Sequence, residues 1–406
     1  MNLSVQIFAS LVLSVIVGLF LGDSAVVPVK TWIAPVGTMF INLIKMMIVP
    51  VVLCSLIVGM TSMGDMKKLG RIGIKTVAFY MVTTAIAIVI GFSVAGVIEP
   101  GVGMALPAEA APKVKEAPSI MQVFVNMIPK NPIDSMAKAD ILPVIVFALF
   151  IGAGIISVGG KKGALLINVF DSGAEVCYKI IAMIMRLAPI GVFCLLLPVV
   201  VQNGPKVLLP LLSAIMAMAV GSIIHAVIVY SGIAAAVGHM SPVKFFRGMA
   251  EAMAIAFTTC SSAGTLPVNM KNTQEKLGVK RDIASFILPL GATINMDGTA
   301  LYMGVCSLFI ANVYNIPLTV DQMMLIILTG TLASIGTAGV PGAGLIMLAM
   351  VLQSVGLPME GLALVAGIDR VLDMFRTTLN ITGDAAVAVA IDATEKTVPT
   401  TLEIHE

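Results

Sequence analysis

Runs of about twenty apolar residues recur along the whole chain, and each run is long enough for a helix to cross a bilayer. Because lipid offers no hydrogen bonds to the backbone, only helices and closed barrels can cross it, and runs of this length indicate helices. The chain is 58% hydrophobic and 11% charged, which indicates a membrane domain throughout rather than a soluble domain with one anchor. We therefore predict an all-α polytopic membrane protein with eight transmembrane helices, near residues 5–22, 38–60, 76–98, 141–158, 164–200, 207–238, 283–312 and 362–391.

Several classes of function find no support in the sequence. A net charge of +2 gives no reason to expect a nucleic-acid partner. The absence of H-E-x-x-H, P-loop and G-x-S-x-G motifs argues against an enzyme, an ATP-driven pump or an organic cofactor. His225, His239 and His405 are scattered, which favours packed or loop side chains over a metal cluster. The cysteines form no C-x-x-C pair and are interpreted as reduced, small apolar residues: Cys54, Cys177, Cys194, Cys260 and Cys306.

The distribution of Lys and Arg predicts the orientation in the membrane. Residues 65–75 carry four basic residues, which places this loop in the cytoplasm. Basic residues also flank both ends of 248–270, so this broken apolar segment is predicted to enter and leave on the cytoplasmic side as a re-entrant hairpin. By elimination, 321–357 is predicted to be a second hairpin that enters from outside. Residues 100–140, rich in Ala, Pro and Lys, are predicted to form an external loop.

The second half of the chain contains one pattern twice. The first copy has TTCSSAGTLP at 258–267 before a helix with NMDGT at 295–299. The second copy has SIGTAGVPGAG at 334–344 before a helix with NITGD at 380–384. A hairpin followed by a helix with a polar centre, repeated with opposite topology, is typical of a secondary transporter whose site lies near the midplane of the membrane.

The last apolar stretch contains five charged residues between positions 369 and 384. At ~100° per residue, its polar positions fall on one helix face, within an arc of roughly 100°. A charge at the centre of a membrane helix costs about 2.5–3.5 kcal/mol even on a lenient scale, so these groups need partners. The helix either forms ion pairs that pin the bundle together or binds ions and a charged solute; we favour binding, because buried ion pairs alone stabilise weakly. The face consists of Asp369, Asp373, Arg376, Thr377, Asn380 and Asp384.

Arg376 and Asp373 lie one turn apart on this face. The Arg guanidinium can bind a carboxylate through two parallel N–H···O bonds, which a Lys ammonium cannot reproduce. Asp373 could accept an ammonium group, so the two residues together suggest a substrate with a side-chain carboxylate and an α-amino group. The alternative is an internal ion pair between Arg376 and Asp373, which would describe the empty state.

Oxygen atoms suited to a hard cation lie near the same motifs. Asp297 and Asp384 are each predicted to lie in a Gly- and Asn-containing break of a long apolar helix, where carboxylate, amide and carbonyl oxygens suit Na⁺. The alternative for each is a carboxylate that carries a proton or caps a helix. Tyr80, Thr83 and Thr84 could line a cation site, although a helix-packing face is the simpler interpretation.

Helices that break within the membrane leave backbone groups free of their usual partners. Free N–H groups suit a carboxylate, and they are predicted at 260–264, with the Ser262 hydroxyl, and at 340–344. Free carbonyl groups suit a cation and are predicted at Ser334, Ile335 and Thr337.

The motifs from Phe257 to Asp384, taken in order, resemble those of the dicarboxylate/amino acid:cation symporters, the glutamate transporter family, and indicate a prokaryotic member. The resemblance implies a homotrimer in the cytoplasmic membrane, in which a fixed scaffold supports a transport domain that moves like an elevator. The implied scaffold comprises residues 1–74 and, with the external loop, 100–205. The implied transport domain comprises 75–99 and 206–406, with hairpins at about 248–275 and 321–357 and a final helix at 362–391.

The same resemblance implies which residues bind substrate and sodium. Arg376 would bind the substrate side-chain carboxylate and Asp373 the amino group, and the pocket would be completed by Ser262, Thr299, Thr377, Asn380 and the Val340 backbone. One sodium site is similar to Gly291, Asn295, Asn380 and Asp384. A second is similar to Thr293, Ser334, Ile335 and Thr337, and a third to Tyr80, Thr83, Thr84, Asn295 and Asp297.

Four positions bear on substrate and coupling. Cys260 stands where archaeal aspartate transporters of the family carry an arginine; here the arginine is Arg370, as in the animal members, and it is expected to modulate the same pocket. Met303 stands where animal members have a glutamate linked to proton transport, which argues against that route of coupling. Asp373 favours aspartate or glutamate, because dicarboxylate-specific relatives tend to lack this carboxylate.

The sequence therefore predicts a secondary active symporter that imports L-aspartate and/or L-glutamate with Na⁺. The alternatives are a proton-coupled symporter of the same amino acids, a C4-dicarboxylate symporter and, from another class, a gated anion channel.

Overall fold

The computed structural model describes residues 3–21, 25–64, 71–104, 125, 128–138, 140–204, 208–334 and 342–395; within these ranges it is helical and contains no strand. The helices of the first half are α1 (Leu3–Leu21), α2 (Ala34–Gly64), α3 (Arg71–Ile98), α4 (Ile141–Val158), α5 (Gly160–Arg186), α6 (Ala188–Asn203) and α7 (Leu208–His225). Those of the second half are α8 (Pro242–Thr259), α9 (Ser262–Glu275), α10 (Arg281–Ile294), α11 (Asp297–Val313), α12 (Val320–Ser334), α13 (Ala343–Ser354) and α14 (Leu362–Thr394).

Short helical segments extend or connect these helices. Two π-helical segments, Ala226–Tyr230 and Ile233–Val237, continue α7 toward its C-terminal end. Others lie at Val26–Pro28, Val29–Ile33, Pro132–Ala137 and Met359–Gly361.

The prediction of an all-helical chain with several apolar helices is confirmed. Within the described ranges, four stretches are long and apolar enough to cross a membrane: Val26–Thr61, Arg71–Ile98, Leu208–Val237 and Ile283–Val313. A fifth results if the helix pair Gly160–Ile184 and Ala188–Val201 is taken as one crossing. The number of eight crossings, the re-entrant course of the hairpins and the division into scaffold and transport domain stay predictions.

The stretch 164–200, which is too long for one straight crossing, is bent by 55° between α5 and α6. Pro189 lies in the first turn of α6, where its missing N–H costs nothing. The ring of a proline disfavours helical geometry in the residue before it and removes a donor that a continuous helix would need. The chain therefore bends here instead of continuing straight.

The helices pack in two groups. In the first group, α2 packs against α4, α5 and α6, and α1 packs along α6. In the second group, α11 packs against α3 and α7, while α14 packs against α8, α9, α10 and α11. Helices α11 and α14 are buried along nearly their whole length, so they form the core of the second group. Contacts of α14 with α6 and of α13 with α2 join the two groups.

The turn between α8 and α9 lies at Cys260 and Ser261. Cys260 ends α8 in the left-handed conformation with φ +54°, and the Ser261 side chain accepts a hydrogen bond from the Gly264 N–H at 3.0 Å, which caps α9. Pro267 does not mark this turn, because it lies inside α9. The cap that starts the helix comes from the serine run, six residues earlier than the proline.

The break expected at Asp297 is present, whereas the break expected at Asp384 is not. Helix α10 ends at Ile294, Asn295 and Met296 are non-helical, and Asp297 is the first residue of α11. Asp384, by contrast, lies within the continuous helix α14. The adjacent Gly383 serves close packing instead of a break, because a Cβ built there would come within 2.6 Å of the Tyr230 hydroxyl.

Candidate functional site

Arg376 lies buried between two carboxylates of its own helix, with 3% of the residue exposed. Its Nη2 lies 2.8 Å from Asp373 Oδ1, its Nε donates to the same oxygen at 3.1 Å, and its Nη1 lies 3.4 Å from Asp369 Oδ1. The internal ion pair considered from the sequence is therefore present. Thr377 adds a hydroxyl that donates to Asp373 Oδ1 at 3.0 Å. A carboxylate that enters the pocket would compete with these two aspartates for the guanidinium.

Tyr302 of α11 completes the surroundings of the guanidinium. Arg376 Cζ lies 4.7 Å from the centre of the Tyr302 ring, a cation–π contact, and the Tyr302 hydroxyl donates to Asp369 Oδ1 at 3.1 Å. Sequence reasoning did not assign Tyr302 to the site. Its position five residues after Asp297, as a polar aromatic residue in a strongly apolar helix, is the signal that could have found it.

Two glycines allow the backbone of neighbouring helices to approach Arg376 closely. A Cβ built on Gly344, at the start of α13, would overlap the Arg376 guanidinium, and a Cβ on Gly298 would overlap the Arg376 carbonyl. Helix α13 therefore covers Arg376 directly, and the start of α11 lies against the backbone of α14. Any larger residue at either position would displace the arginine.

The remaining predicted pocket residues in the described ranges are also buried. Asn380 connects α11 and α14: its Oδ1 accepts from the Gly298 N–H at 2.7 Å, and its Nδ2 lies 3.5 Å from Thr299 Oγ1. Ser262, at the start of α9, is 2% exposed. Val340 lies outside the described residues.

Arg370 extends from α14 to the turn between α8 and α9. Its Nη2 donates to the carbonyls of Thr258 and Thr259, the last two residues of α8, at 3.2 and 3.4 Å. A cation at the C-terminal end of a helix compensates free carbonyl groups there. The contact gives Arg370 a capping role at this turn, and its predicted effect on the pocket stays a prediction.

Asp297 is the centre of a fully buried polar cluster. Its Oδ1 accepts from the hydroxyls of Thr83 at 3.1 Å and Thr84 at 2.8 Å, both on α3. Its Oδ2 accepts from the Tyr230 hydroxyl at 2.9 Å and lies 3.4 Å from His225 Nε2. The two threonines predicted for a cation site thus face Asp297. Tyr230 and His225 were missed: the first belongs to an apolar span, and the second was interpreted as a packed histidine.

A second buried set of oxygens lies around Asp384. Asn295 Nδ2 donates to Asp384 Oδ1 at 2.9 Å and lies 3.4 Å from the Asn380 carbonyl, while Asn295 Oδ1 has no hydrogen-bond partner within the described residues. A Cβ on Gly291 would overlap the Asp384 carboxylate and lie 2.6 Å from the Tyr80 hydroxyl. The structure thus brings together the four residues of one predicted sodium site, and the free amide oxygen is an acceptor that a cation would satisfy.

The second predicted sodium site is only partly described. The Thr293 hydroxyl donates to the Leu290 carbonyl at 2.9 Å, and the Ser334 hydroxyl donates to the Thr331 carbonyl at 2.7 Å, so each bonds within its own helix. Ile335 and Thr337 lie outside the described residues. The carbonyl ligands expected for a cation at this site therefore stay predictions.

The arrangement offers one buried guanidinium for an anionic group and hard oxygen donors a few residues away for a cation. Asn295, Asn380 and Gly298 link the two regions by hydrogen bonds. In the part of the chain that the structure describes, no group of three or more His, Cys, Asp or Glu side chains could hold a metal. The oxygens around Asp297 and Asp384 belong to Asp and Asn side chains, hydroxyls and carbonyls, a set of ligands that suits hard cations.

Comparison with known proteins agrees with the resemblance seen in the sequence. The sequence matches the sodium:dicarboxylate symporter family over residues 3–394. It is 35% identical over 404 residues to a proton/sodium-glutamate symport protein of Geobacillus stearothermophilus, covering 97% of this chain and 94% of the relative. It is 36% identical to a proton/glutamate-aspartate symporter of Escherichia coli strain K12, covering 96% and 92% of the two chains.

A third relative is named for another class of substrate. The C4-dicarboxylate transport protein of Bacillus subtilis strain 168 is 32% identical over 402 residues, covering 97% of this chain and 94% of the relative. The family is one of symporters, which, with the apolar helices, makes this chain a multi-pass membrane transporter. The chain belongs to the sodium:dicarboxylate symporter family.

Proposed function

We propose that the chain imports L-aspartate and/or L-glutamate across the cytoplasmic membrane, driven by the Na⁺ gradient. The observation that carries this proposal is the pairing of Arg376 with Asp373 in a pocket from which water is largely excluded, with 3% of each residue exposed. Arg376 would exchange its internal partners for the side-chain carboxylate of the substrate, which leaves Asp373 free to accept the α-ammonium group.

The neighbouring oxygens support cation coupling at the same site. Asn295 donates to both Asp384 and the Asn380 carbonyl, and Asn380 in turn accepts from Gly298 beside Arg376. A cation at Asp384 and Asn295 would therefore fix the same backbone that shapes the substrate pocket. Binding of the ion and binding of the amino acid then favour one another, which is linkage in the thermodynamic sense.

We extend the proposal to the division of labour that the family resemblance implies. The helices around α2 would form the scaffold of a homotrimer, and those around α11 and α14 would form a transport domain that moves across the membrane as an elevator. The packing of the helices into two groups, with α13 meeting α2 between them, supports this division.

Two alternatives concern the ion and the substrate. The names of the relatives from Geobacillus stearothermophilus and Escherichia coli include protons, which supports H⁺ as a coupling ion, with Asp297 or Asp384 as the carrier. The relative from Bacillus subtilis supports a C4-dicarboxylate. Asp373 argues against a C4-dicarboxylate, because such a substrate has no ammonium group to neutralise the buried charge of Asp373.

Uptake into proteoliposomes tests the proposal. Radiolabelled aspartate is offered under an inward Na⁺ gradient at equal pH, and separately under an inward H⁺ gradient with equal Na⁺ on both sides. We expect uptake with the Na⁺ gradient alone, competed by glutamate more strongly than by succinate. Uptake that requires the H⁺ gradient would support the proton alternative, and stronger competition by succinate would support the dicarboxylate alternative. Saturable accumulation above equilibrium separates all three from an anion channel.

A further inference from the structure

The span that begins with α7 contributes two aromatic side chains to the Asp297 cluster, His225 and Tyr230. Both residues are fully buried, and the two rings pack edge to face with their centres 4.9 Å apart. Thr83 and Thr84 donate to Oδ1 of Asp297. Tyr230 and His225 lie against the other oxygen, Oδ2.

The π-helical segment that follows α7 explains how both side chains reach one carboxylate. In a regular α-helix, residues five apart point about 140° away from each other, because each residue turns the chain by ~100°. In the segment Ala226–Tyr230 the hydrogen bonds join residues five apart, so each residue turns the chain by less and His225 and Tyr230 come closer to the same face. A regular helix at this point would direct one of them away from Asp297.

The hydrogen-bonding capacity of His225 is unused. Neither ring nitrogen has a hydrogen-bond partner within the described residues, although Nε2 lies only 3.4 Å from Asp297 Oδ2. A buried polar side chain without partners costs about 1–3 kcal/mol, so simple packing does not account for a histidine here. A small rotation of the Asp297 carboxylate would bring Oδ2 within reach of Nε2.

We propose that Tyr230 and His225 are positioning residues that fix the orientation of the Asp297 carboxylate and thereby set the cation selectivity of the site. Tyr230 donates to Oδ2, and His225 Nε2 lies 3.4 Å from the same oxygen, within a small rotation of the carboxylate from donating as well. Together the two side chains hold the carboxylate so that Oδ1 faces the threonine hydroxyls and a bound cation. With the carboxylate fixed, the oxygen cage has one size, and it binds best the ion whose radius matches. The inference rests on the proposed function, in that it needs a cation to bind at Asp297.

Aspartate binding to the purified full-length protein is measured as a function of NaCl and, separately, of LiCl, with choline chloride holding the ionic strength constant. Three test variants and one control variant are compared with the wild type. Tyr230→Phe keeps the ring and removes the donor; His225→Gln retains an N–H donor that His225→Leu lacks. Ser222→Ala is the control, because Ser222 is a buried residue of α7 without a hydrogen-bond partner in the described structure and lies one turn before His225.

We expect Tyr230→Phe to raise the Na⁺ concentration for half-maximal aspartate binding by about tenfold, the effect of losing one hydrogen bond to a charged group. The ratio of the half-saturating Li⁺ and Na⁺ concentrations should move toward one in Tyr230→Phe and His225→Leu. It should stay near the wild-type ratio in His225→Gln and in Ser222→Ala.

The outcomes separate this inference from the proposed function. If aspartate binding by the wild type does not depend on the Na⁺ concentration, the proposed function is overturned and this inference with it. If aspartate binding by the wild type depends on Na⁺, but Tyr230→Phe and His225→Leu keep its ratio of half-saturating Li⁺ and Na⁺ concentrations, this inference alone is overturned. The inference is also overturned if these variants lose thermal stability or binding amplitude while their half-saturating concentrations stay unchanged, because a purely structural role would produce that result.

Discussion

Arg376 and Asp373 lie one turn apart on α14, and their Nη2 and Oδ1 atoms are 2.8 Å apart in a region closed to solvent. Asp369 and the Tyr302 ring complete the surroundings of the guanidinium. If Arg376 binds the substrate carboxylate as proposed, that carboxylate gains a partner that is already oriented, and it must displace Asp373 or Asp369 to obtain it. Under this proposal, the affinity for the substrate would reflect the difference between the free energies of the internal and the substrate ion pair rather than the full strength of one ion pair.

Changing Arg376 to Lys should weaken aspartate binding by about 10- to 100-fold, because a Lys ammonium cannot form two parallel hydrogen bonds with a carboxylate. Arg376→Ala should abolish binding. Isothermal titration of the purified protein with aspartate gives both results. The control is Arg247→Lys, since Arg247 is exposed on α8 and is not one of the predicted pocket residues. Unchanged affinity in Arg376→Lys would remove the guanidinium from the site.

Changing Asp373 to Asn should weaken binding of aspartate more than binding of succinate. The carboxylate is expected to neutralise the ammonium group that succinate lacks, so only aspartate loses an opposite charge. We expect a loss of about tenfold or more for aspartate, in line with a hydrogen bond to a charged group. Competition by each compound against labelled aspartate measures the two affinities. Equal losses would contradict the assignment of Asp373 to the amino group.

The sequence was sufficient for the helical fold and for the polar face of α14, because both depend on periodicity within one segment. The face from Asp369 to Asp384 is buried as a unit, as its spacing indicated. Length and composition likewise indicated the bend between α5 and α6. Such features are local, so a single sequence contains them.

The contributions of Tyr230 and Tyr302 could not be predicted in the same way. Tyr230 reaches Asp297 only because the chain after α7 adopts a π-helical turn, and Tyr302 reaches Arg376 only because two helices pack side by side. The prediction of a break at Gly383 was wrong for a related reason. Glycine weakens an isolated helix, but here it allows Tyr230 and Asn295 to approach, a purpose that only the packing reveals.

Changing Gly291 to Ala should weaken cation binding. A Cβ at this position would overlap the Asp384 carboxylate and crowd the Tyr80 hydroxyl, so the carboxylate must move away from Asn295. We expect the Na⁺ concentration for half-maximal aspartate binding to rise by about tenfold. Gly96→Ala is the matched control, because a Cβ there has no atom within 4 Å. If both alanine variants show the wild-type Na⁺ dependence, Asp384 does not hold the cation.

The end of the last helix is fastened to the start of α3 by an ion-pair cluster. Glu395, just after α14, lies 2.6 Å from Arg71 Nη2 and 2.7 Å from Lys75 Nζ. Hydrogen bonds from Arg71 and then from Lys75 hold the pKa of the Glu395 carboxyl below its ordinary value of 4.5. The folded protein thus favours the charged form of this side chain more than the unfolded chain does.

A carboxyl whose pKa is lowered by folding stabilises the protein above its unfolded-state pKa, and this contribution is lost as the pH falls through the folded-state pKa. Changing Glu395 to Gln should therefore lower the Tm at neutral pH by on the order of 1–2 °C, since exposed partners such as Arg71 limit the gain. The difference from the wild type should shrink as the pH falls below 4.5 and disappear once Glu395 is protonated in the folded protein as well. Thermal unfolding across a pH series measures it, with Glu175→Gln on the exposed face of α5 as the control. A difference that persists unchanged at low pH would mean that Glu395 stabilises the protein by packing instead of by its charge.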